Sequence, residues 1–340
     1  MIKEAIGTLV SGKSLTESEA ASVMEEIMEG KASPAQLGAF VTALSIKGET
    51  GEEIAGLAGV MRNKAIKVEA GGPVLDVVGT GGDGWNTFNI STAAAFVAAS
   101  AGIKVAKHGN RAASSQCGSA DVLEKLGVKI DLKAEEVQRC IQEIGIGFMF
   151  APAFHPAMKY AAGPRREIGI RTFFNVIGPL TNPAHAEYQV IGVPGVELAE
   201  KIVQAIIHLG AKHTLVVHGL NGMDEISISG DSLIWEIKNG ELISSQQIIS
   251  PEDFGIPLAA DSSICGGTPE SNAEALRSIL SGAKGAKRNV TVLNAAAALV
   301  AGEKVDTLGQ GVMLAQNTLD DGNALGKLNK LVEFTQKLGD

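Results

Sequence analysis

The glycine-dense stretch Gly79-Thr80-Gly81-Gly82-Asp83-Gly84 restricts the possible folds of this chain more than any other part of it. Ahead of it runs Val74-Leu75-Asp76-Val77-Val78, a short apolar, β-branched run with the length of a buried strand. Behind it, Thr92-Ala93-Ala94-Ala95-Phe96-Val97-Ala98-Ala99 has the alanine content of a helix, with Asn89 or Ser91 placed to cap it. In such a unit the glycines let backbone N–H groups approach an anion, and the helix N-terminus adds partial positive charge. A plain tight turn reads equally well from these glycines alone. Gly79 to Gly84 also spells G-x-G-x-x-G, but a dinucleotide site needs a helix that starts inside the motif and an acidic residue closing the next strand, about 20 residues on. Here Trp85-Asn86-Thr87-Phe88 separate motif and helix, and the next strand, Ile103-Lys104-Val105-Ala106, ends at Lys107-His108. A lysine there suits phosphate and not a ribose diol, so the dinucleotide reading fails.

Residues 1 to 65 read as helices only. Thr16-x-x-Glu19, Ser33-Pro34-Ala35-Gln36 and Thr50-x-x-Glu53 are capping-box patterns, each leading into an apolar repeat of helical period. Strand and helix alternate from residue 74 onward. The expected fold is therefore α/β, with a small helical domain at 1–70 and a large α/β domain with a mainly parallel central sheet at 71–340. The length of 340 residues accommodates both. With 45% hydrophobic but only 4% aromatic residues, the core must be built from Ala, Val, Leu and Ile.

A second loop, Lys107-His108-Gly109-Asn110-Arg111 continuing through Ser114 and Ser115 to a helix at Ser119, again carries cations, serines and glycines, the chemistry of an anion site. It follows the strand after the first loop, so both should open at the carboxyl edge of a parallel sheet, where such sheets bind ligands. The strand Thr214-Leu215-Val216-Val217-His218 leads to Asp224-Glu225. Adjacent carboxylates are commonly a solvated turn, but opposite two phosphate loops they suit Mg²⁺, which bridges carboxylates and substrate phosphates. Arg165, Arg166 and Arg171 form the densest cationic cluster, and one arginine facing the sheet edge would suit a carboxylate. His155, before Pro156, reads as structural. The last third offers a hairpin across Lys238-Asn239-Gly240-Glu241, helices starting near Thr268 and Asn289, and an amphipathic end from Leu325 to Leu338, with little visible chemistry.

The formal net charge of -9 argues against broad contact with nucleic acid or an anionic membrane, so any phosphate site must be a local positive pocket. Cys117, Cys140 and Cys265 show neither pairing nor metal-ligand spacing and fit reduced thiols in a cytoplasmic protein. No apolar run approaches the roughly 18 residues that span a membrane.

Taken in order, GTGGDGWNTFNIST, KHGNRAASSQCGSADVLEKLG, GPRREIGIRTFFNVIGPLTNP and GMDEIS make the chain resemble the anthranilate phosphoribosyltransferases, from the helical start to near residue 335. That resemblance implies a homodimer in a fold shared with pyrimidine nucleoside phosphorylases, with a further helical-domain segment inserted at about 165–185. It implies transfer of a phosphoribosyl group from phosphoribosyl pyrophosphate to anthranilate with Mg²⁺, in tryptophan biosynthesis. Position by position it assigns Gly79, Gly82, Asp83, Thr87, Asn89, Ile90, Ser91 and Thr92 to phosphoribosyl pyrophosphate. The site continues through Lys107, His108, Gly109, Asn110, Arg111, Ala112, Ala113, Ser114, Ser115 and Ser119. Ser91, Asp224 and Glu225 would hold the metal, and Gly79, Asn110 and Arg165 would meet anthranilate. Lys107, Asn110 and Arg165 would serve catalysis, with His108 as a proton acceptor. Trp85 is bulkier than the small residue expected after GTGGDG and bears on how the loop closes. A pyrimidine nucleoside phosphorylase lacks the Mg²⁺ carboxylate pair, so Asp224-Glu225 and Arg165 speak against it. A non-catalytic nucleic-acid-binding relative should show a basic surface and an eroded acceptor site.

Overall fold

The three capping-box patterns each start a helix. The computed structural model describes residues 1–112 and 115–338. Its first elements are α1 (Ile2–Val10), α2 (Glu17–Met28), α3 (Pro34–Lys47) and α4 (Gly51–Asn63). Thr16, Ser33 and Thr50 each accept the N–H of Glu19, Gln36 or Glu53, whose side chain returns to the cap's own N–H at 2.8 Å. Two orphan donors are thereby satisfied at every start. Glu53 does more: fully buried, it also accepts from Leu15 N and Lys47 Nζ, both at 2.8 Å, and so ties α4 to the α1–α2 connection and to the end of α3.

The α/β part follows as β1 (Leu75–Gly79), α5 (Ile90–Ser100), β2 (Val105–Gly109), α6 (Ser119–Lys125), α7 (Ala134–Arg139), β3 (Ile146–Phe150), α8 (Ala151–Phe154) and α9 (Lys159–Ile168). Then come β4 (Tyr188–Gly192), α10 (Val196–Leu209), β5 (His213–Gly219), β6 (Ser232–Lys238), β7 (Glu241–Ile249), α11 (Pro269–Leu280), α12 (Ala286–Ala301), α13 (Leu308–Asp320) and α14 (Asn323–Lys337). The seven strands form one sheet in the order β3-β2-β1-β4-β5-β6-β7. β3 through β5 are parallel across that order, and β6 and β7 are antiparallel additions.

Alternation along the strands sorts the core. Val190, Leu215, Val217 and Ile234 join the alanine-rich helices α5 and α12 and the C-terminal helices on one face. Ile191, Val216, Trp235 and Ile237 point the other way, into a second cluster shared by α10, the N-terminal helices and Phe173, Ile177 and Leu180. Neighbouring strand residues thus serve different layers, as the period of two requires. The alanine runs are buried inside this core, and no helix among the described residues is long and apolar enough to cross a membrane.

Sequence reasoning places the start of α12 near Asn289, three residues late, and passes over α13. The latter is glycine-containing (Leu308-Gly309-Gln310-Gly311) and has poor helix propensity, yet Thr307 and Gln310 form a capping box that marks its start.

In the bundle, a Cβ added at Gly56 would strike the backbone of Glu17 and crowd Ala21 N, so α2 and α4 meet backbone to backbone there. Gly56→Ala should cost on the order of 1–3 kcal/mol through forced separation of the two helices. A urea midpoint equal to that of the wild type would show that the helices have room to spare.

Candidate active site

Successive strands are added on one side of β1 as far as β3, and the chain then returns to place β4 on its other side. In parallel sheets the ligand crevice lies where the order reverses, which here is outside the carboxyl ends of β1 and β4. The glycine loop leaves β1 at this point, with Thr80 N donating to Gly192 O at 2.9 Å. Asp224, from the loop after β5, lies over the same spot and accepts from Gly81 N at 2.7 Å. A Cβ on Gly79 would collide with the Asp224 carboxylate, and one on Gly192 with its carbonyl. Both strand ends are glycine because Asp224 lies where their side chains would be.

The rest of the glycine loop is anchored by distant segments. Asp83 accepts from Trp85 N (3.0 Å) and from Asp224 N (3.4 Å). Arg171 donates to the carbonyls of Gly81 (3.0 Å) and Gly82 (3.1 Å). Thr87 forms an isolated antiparallel bridge with Cys265, flanked by Phe88 N to Ile264 O (3.2 Å) and Gly266 N to Asn86 O (2.7 Å). The expected side-chain cap of α5 is not found. Asn89 occupies the N-cap position, but its amide donates to Cys117 O (3.1 Å) and accepts from Asn272 Nδ2 (3.0 Å), which joins it to the second loop and to α11. The carboxylate of Glu225 takes the capping role instead, accepting from Ser91 N at 3.1 Å.

Beneath the loops the charges are crowded. Lys107 is buried: its ammonium donates to Val77 O at 2.6 Å and to Ser91 Oγ at 3.4 Å, between Asp76 and Glu225. It forms part of the floor, and does not reach into the crevice as its place at a strand end suggests from sequence. Burial lowers its pKa, which both carboxylates partly restore. Burial also pushes Asp76 up to about 6, against the pull of Lys107 and of Asn182, whose amide donates to it at 2.7 Å. Asp224 is pushed up to about 7, by burial first and then by Asp83, and Glu225 rises well above the ordinary range through burial and the charge of Asp224. His108 projects from the residue after Lys107 and so faces the opposite side of β2. Its ring lies 5.1 Å from that of His155, and burial brings the two to about 3 and about 4. Both are neutral imidazoles of low basicity.

The second loop closes differently from expectation. Arg111 turns to α6 and pairs with Asp121 (3.0 Å) and Glu124 (2.9 Å), which raise its pKa. Ala112 N donates to Asp121 as well. Ser119 Oγ and Ala120 N both donate to Asn110 O, at 3.4 and 3.2 Å, folding the loop back on the helix that follows it. Ser115 is exposed, and Gly109 lies so close to Ser119 that a Cβ would strike its hydroxyl. Ile90 is a core residue, and Thr92 is buried with no partner for its hydroxyl among the described residues. Ala113 and Ser114 lie outside the described residues. Arg165, on α9, lies 4.7 Å above the Phe174 ring with its pKa lowered by burial, and no carboxylate pairs with it among the described residues. No hydrogen bond joins it to Gly79 or Asn110 among those residues. Arg171, the last arginine of the cluster, is the one that grips the glycine loop, and only its place in the cluster marks it in the sequence. The contributions of Ile264–Gly266 and Asn272 carry no sequence signal at all.

Asp224, Glu225 and the Ser91 hydroxyl are hard oxygen donors of the kind Mg²⁺ takes. The raised affinity of the two carboxylates for protons marks negative charge that Lys107 alone does not balance. Among the described residues no three His, Cys, Asp or Glu side chains are grouped to hold a metal unaided. A metal here fits as a bridge between these oxygens and an anionic ligand.

Two family models cover the chain: "Glycosyl transferase family, helical bundle domain" matches residues 3–65 and "Glycosyl transferase family, a/b domain" residues 71–325. The chain is 63% identical over 338 residues to the anthranilate phosphoribosyltransferase of Dehalococcoides mccartyi, covering 99% of each. It superposes on the crystal structure of the Thermus thermophilus anthranilate phosphoribosyltransferase with a TM-score of 0.92 at 42% identity, covering 98% of this chain and 99% of the other. The Saccharomyces cerevisiae anthranilate phosphoribosyltransferase, in complex with PRPP and Mg, is similar with a TM-score of 0.89 at 27% identity, covering 99% and 98%.

The histidine pair is open to direct titration. A His whose folded pKa lies below its unfolded value of about 6.5 contributes stability that is complete above that pH and is lost as pH falls towards the folded value. The His155 imidazole signals in an NMR titration should therefore hold their neutral positions from pH 8 to 5 and move only near pH 4. His155→Asn should flatten the acid-side fall of the urea midpoint. A ring that titrates near 6.5 would show that water reaches it freely.

Proposed function

This chain belongs to the anthranilate phosphoribosyltransferase family, and on that premise we propose that it transfers the 5-phosphoribosyl group of phosphoribosyl pyrophosphate to the amine of anthranilate, releasing pyrophosphate, in tryptophan biosynthesis. The observation that carries the reading is the meeting of the glycine loop, the second loop and the Asp224-Glu225 pair at one reversal point of the sheet.

Gly79, Gly82, Asp83, Thr87, Asn89, Ser91 and Thr92 hold the phosphoribosyl pyrophosphate from one side, and Gly109, Asn110, Ser115 and Ser119 from the other. Ser91, Asp224 and Glu225 are the residues that would hold Mg²⁺, which when bound supplies positive charge against the departing pyrophosphate. Lys107 acts from below. Its ammonium fixes the Ser91 hydroxyl and lowers the cost of keeping Glu225 ionised beside Asp224. Arg165 receives the anthranilate carboxylate, with Asn110 and Gly79 beside it. A guanidinium already partly stripped of water and lacking a carboxylate partner among the described residues gains more from such an anion than an exposed one would.

The amine lone pair then forms the bond to ribose C1 while the C1–O bond breaks, its electrons leaving with pyrophosphate. The new C1–N centre gives its surplus proton to solvent or phosphate oxygen, since His108 faces the other side of β2 against His155. Rate comes from alignment and from fixed charge. The homodimer is part of the same reading, and Val10 and Ile46, exposed apolar residues on α1 and α3, support it. So is a cytoplasmic setting, which suits three free cysteines. The domains divide at about residue 70, the segment near 165–185 belonging with the bundle, whose apolar cluster includes Phe173 and Ile177.

Anthranilate fluorescence should fall when phosphoribosyl pyrophosphate and Mg²⁺ are added, and folded protein that produces no fall would sink the reading. Asp224→Asn combined with Glu225→Gln should lower kcat by about 100-fold or more at saturating Mg²⁺. Arg165→Ala should raise the KM for anthranilate by about 10- to 100-fold, the range of a lost charge-assisted hydrogen bond, while the KM for phosphoribosyl pyrophosphate holds.

A further inference from the structure

Trp85 lies in the glycine loop yet belongs to none of the roles above. Its indole N–H donates to the carbonyl of Asn221 at 3.2 Å, and its ring packs, half buried, against the edge of the main core. Asn221 opens the turn that ends in Asp224-Glu225. Its own amide is fixed by Ser229 and Asp261, both at 3.0 Å, and its side-chain oxygen accepts from Met223 N at 3.3 Å. Gly222 completes the fit, since the position its Cβ would take lies 3.5 Å from the indole nitrogen. At the other end of the same short segment, Asp83 accepts from Trp85 N and from Asp224 N. The indole and Asp83 together span the gap between two loops separated by 136 residues of sequence.

We propose that Trp85 is a positioning residue that clamps the glycine loop to the Asn221–Glu225 turn, so that the phosphate wall and the carboxylate wall of the site are braced against each other before any ligand arrives. The inference rests on the reading of the site given above. A large aromatic residue with a single donor suits such a clamp, because its packing area removes most loop conformations and the N–H selects one of those that remain. Ligand binding then does not bear the cost of ordering both loops. An unclamped loop would show that cost in the affinity for phosphoribosyl pyrophosphate and Mg²⁺, which touch both walls, and not in the affinity for anthranilate.

The test compares wild type, Trp85→Phe and Trp85→Ala, all as full-length protein. Trp85→Ala should raise the KM for phosphoribosyl pyrophosphate and the half-saturating Mg²⁺ concentration by about 10-fold, with kcat and the KM for anthranilate within about twofold. Trp85→Phe keeps the packing without the donor and should fall between, near a threefold rise, the effect of one neutral hydrogen bond. Equal rises in both KM values, or a phosphoribosyl pyrophosphate KM within about twofold of wild type in Trp85→Ala, would overturn the clamp. Hydrogen exchange on the ligand-free proteins gives a reading that does not depend on turnover. Amides of 80–89 and 220–225 should exchange faster in Trp85→Ala than in wild type, and unchanged exchange overturns the clamp even if the enzymatic reading stands. Absence of turnover in wild type would remove the enzymatic reading and leave the exchange result to decide the clamp.

Discussion

One buried ammonium governs how this site can be built. Lys107 is a strand residue pointing into the protein, and a charge there is tolerated only with partners close by. Val77 O and Ser91 Oγ accept hydrogen bonds from it, and Asp76 and Glu225 supply compensating charge. Those four groups come from β1, the start of α5 and the loop after β5, so a single lysine fixes the relative positions of the three segments that meet at the crevice. The arrangement also explains why two adjacent carboxylates persist at the sheet edge. Glu225 has two cationic neighbours in effect, the ammonium below and the N-terminus of α5 in front. Asp224 has a backbone N–H partner in Gly81 and a like charge in Asp83, and burial raises its affinity for protons as it does that of Glu225.

The bundle and the crevice communicate through a few residues. Phe173, Ile177 and Leu180 sit in the apolar cluster of the N-terminal helices, and Arg171, two residues before Phe173, holds the carbonyls of Gly81 and Gly82. Arg165 stacks on Phe174 in the same short region. A stretch of about ten residues therefore carries one arginine that shapes the glycine loop and another that stacks, partly desolvated, on Phe174. Substitutions that repack the bundle under Phe173 act on both.

Much of this is legible in the sequence, and for identifiable reasons. Capping boxes, the alternation from residue 74 and the two glycine- and cation-rich loops are local signals, and local signals survive in a one-dimensional string. Register also helps: consecutive parallel strands must send their following loops to one edge, so 79–92 and 107–119 are bound to converge. What escapes is every partner chosen by the tertiary fold. Nothing near Asn89 says that its amide will meet Asn272 instead of capping α5. Nothing in Arg111 says that Asp121 and Glu124 will claim it. Lys107 is recognisable as a phosphate-type residue from its place at a strand end, but strand parity at that position aims it at Ser91 beneath the loop. Only knowledge of which face α5 covers would reveal this.

The stitching of Asn86–Asn89 to Cys265, Gly266 and Asn272 bears on how the protein is made. Asn89 and Asn272 are 183 residues apart, and Ser91 and Glu225 134 apart. A ribosome adding about 5–20 residues each second delivers the glycine loop many seconds before its last anchors exist. During that interval the strand-turn-helix unit has its local hydrogen bonds but none of its long-range ties. These contacts have high contact order and close late. The nascent chain thus carries an open glycine turn with no finished partner surface, and its tie to α11 through Asn89 and Asn272 forms only when α11 docks. Truncation products that end before residue 264 would retain most of the sheet without a completed loop.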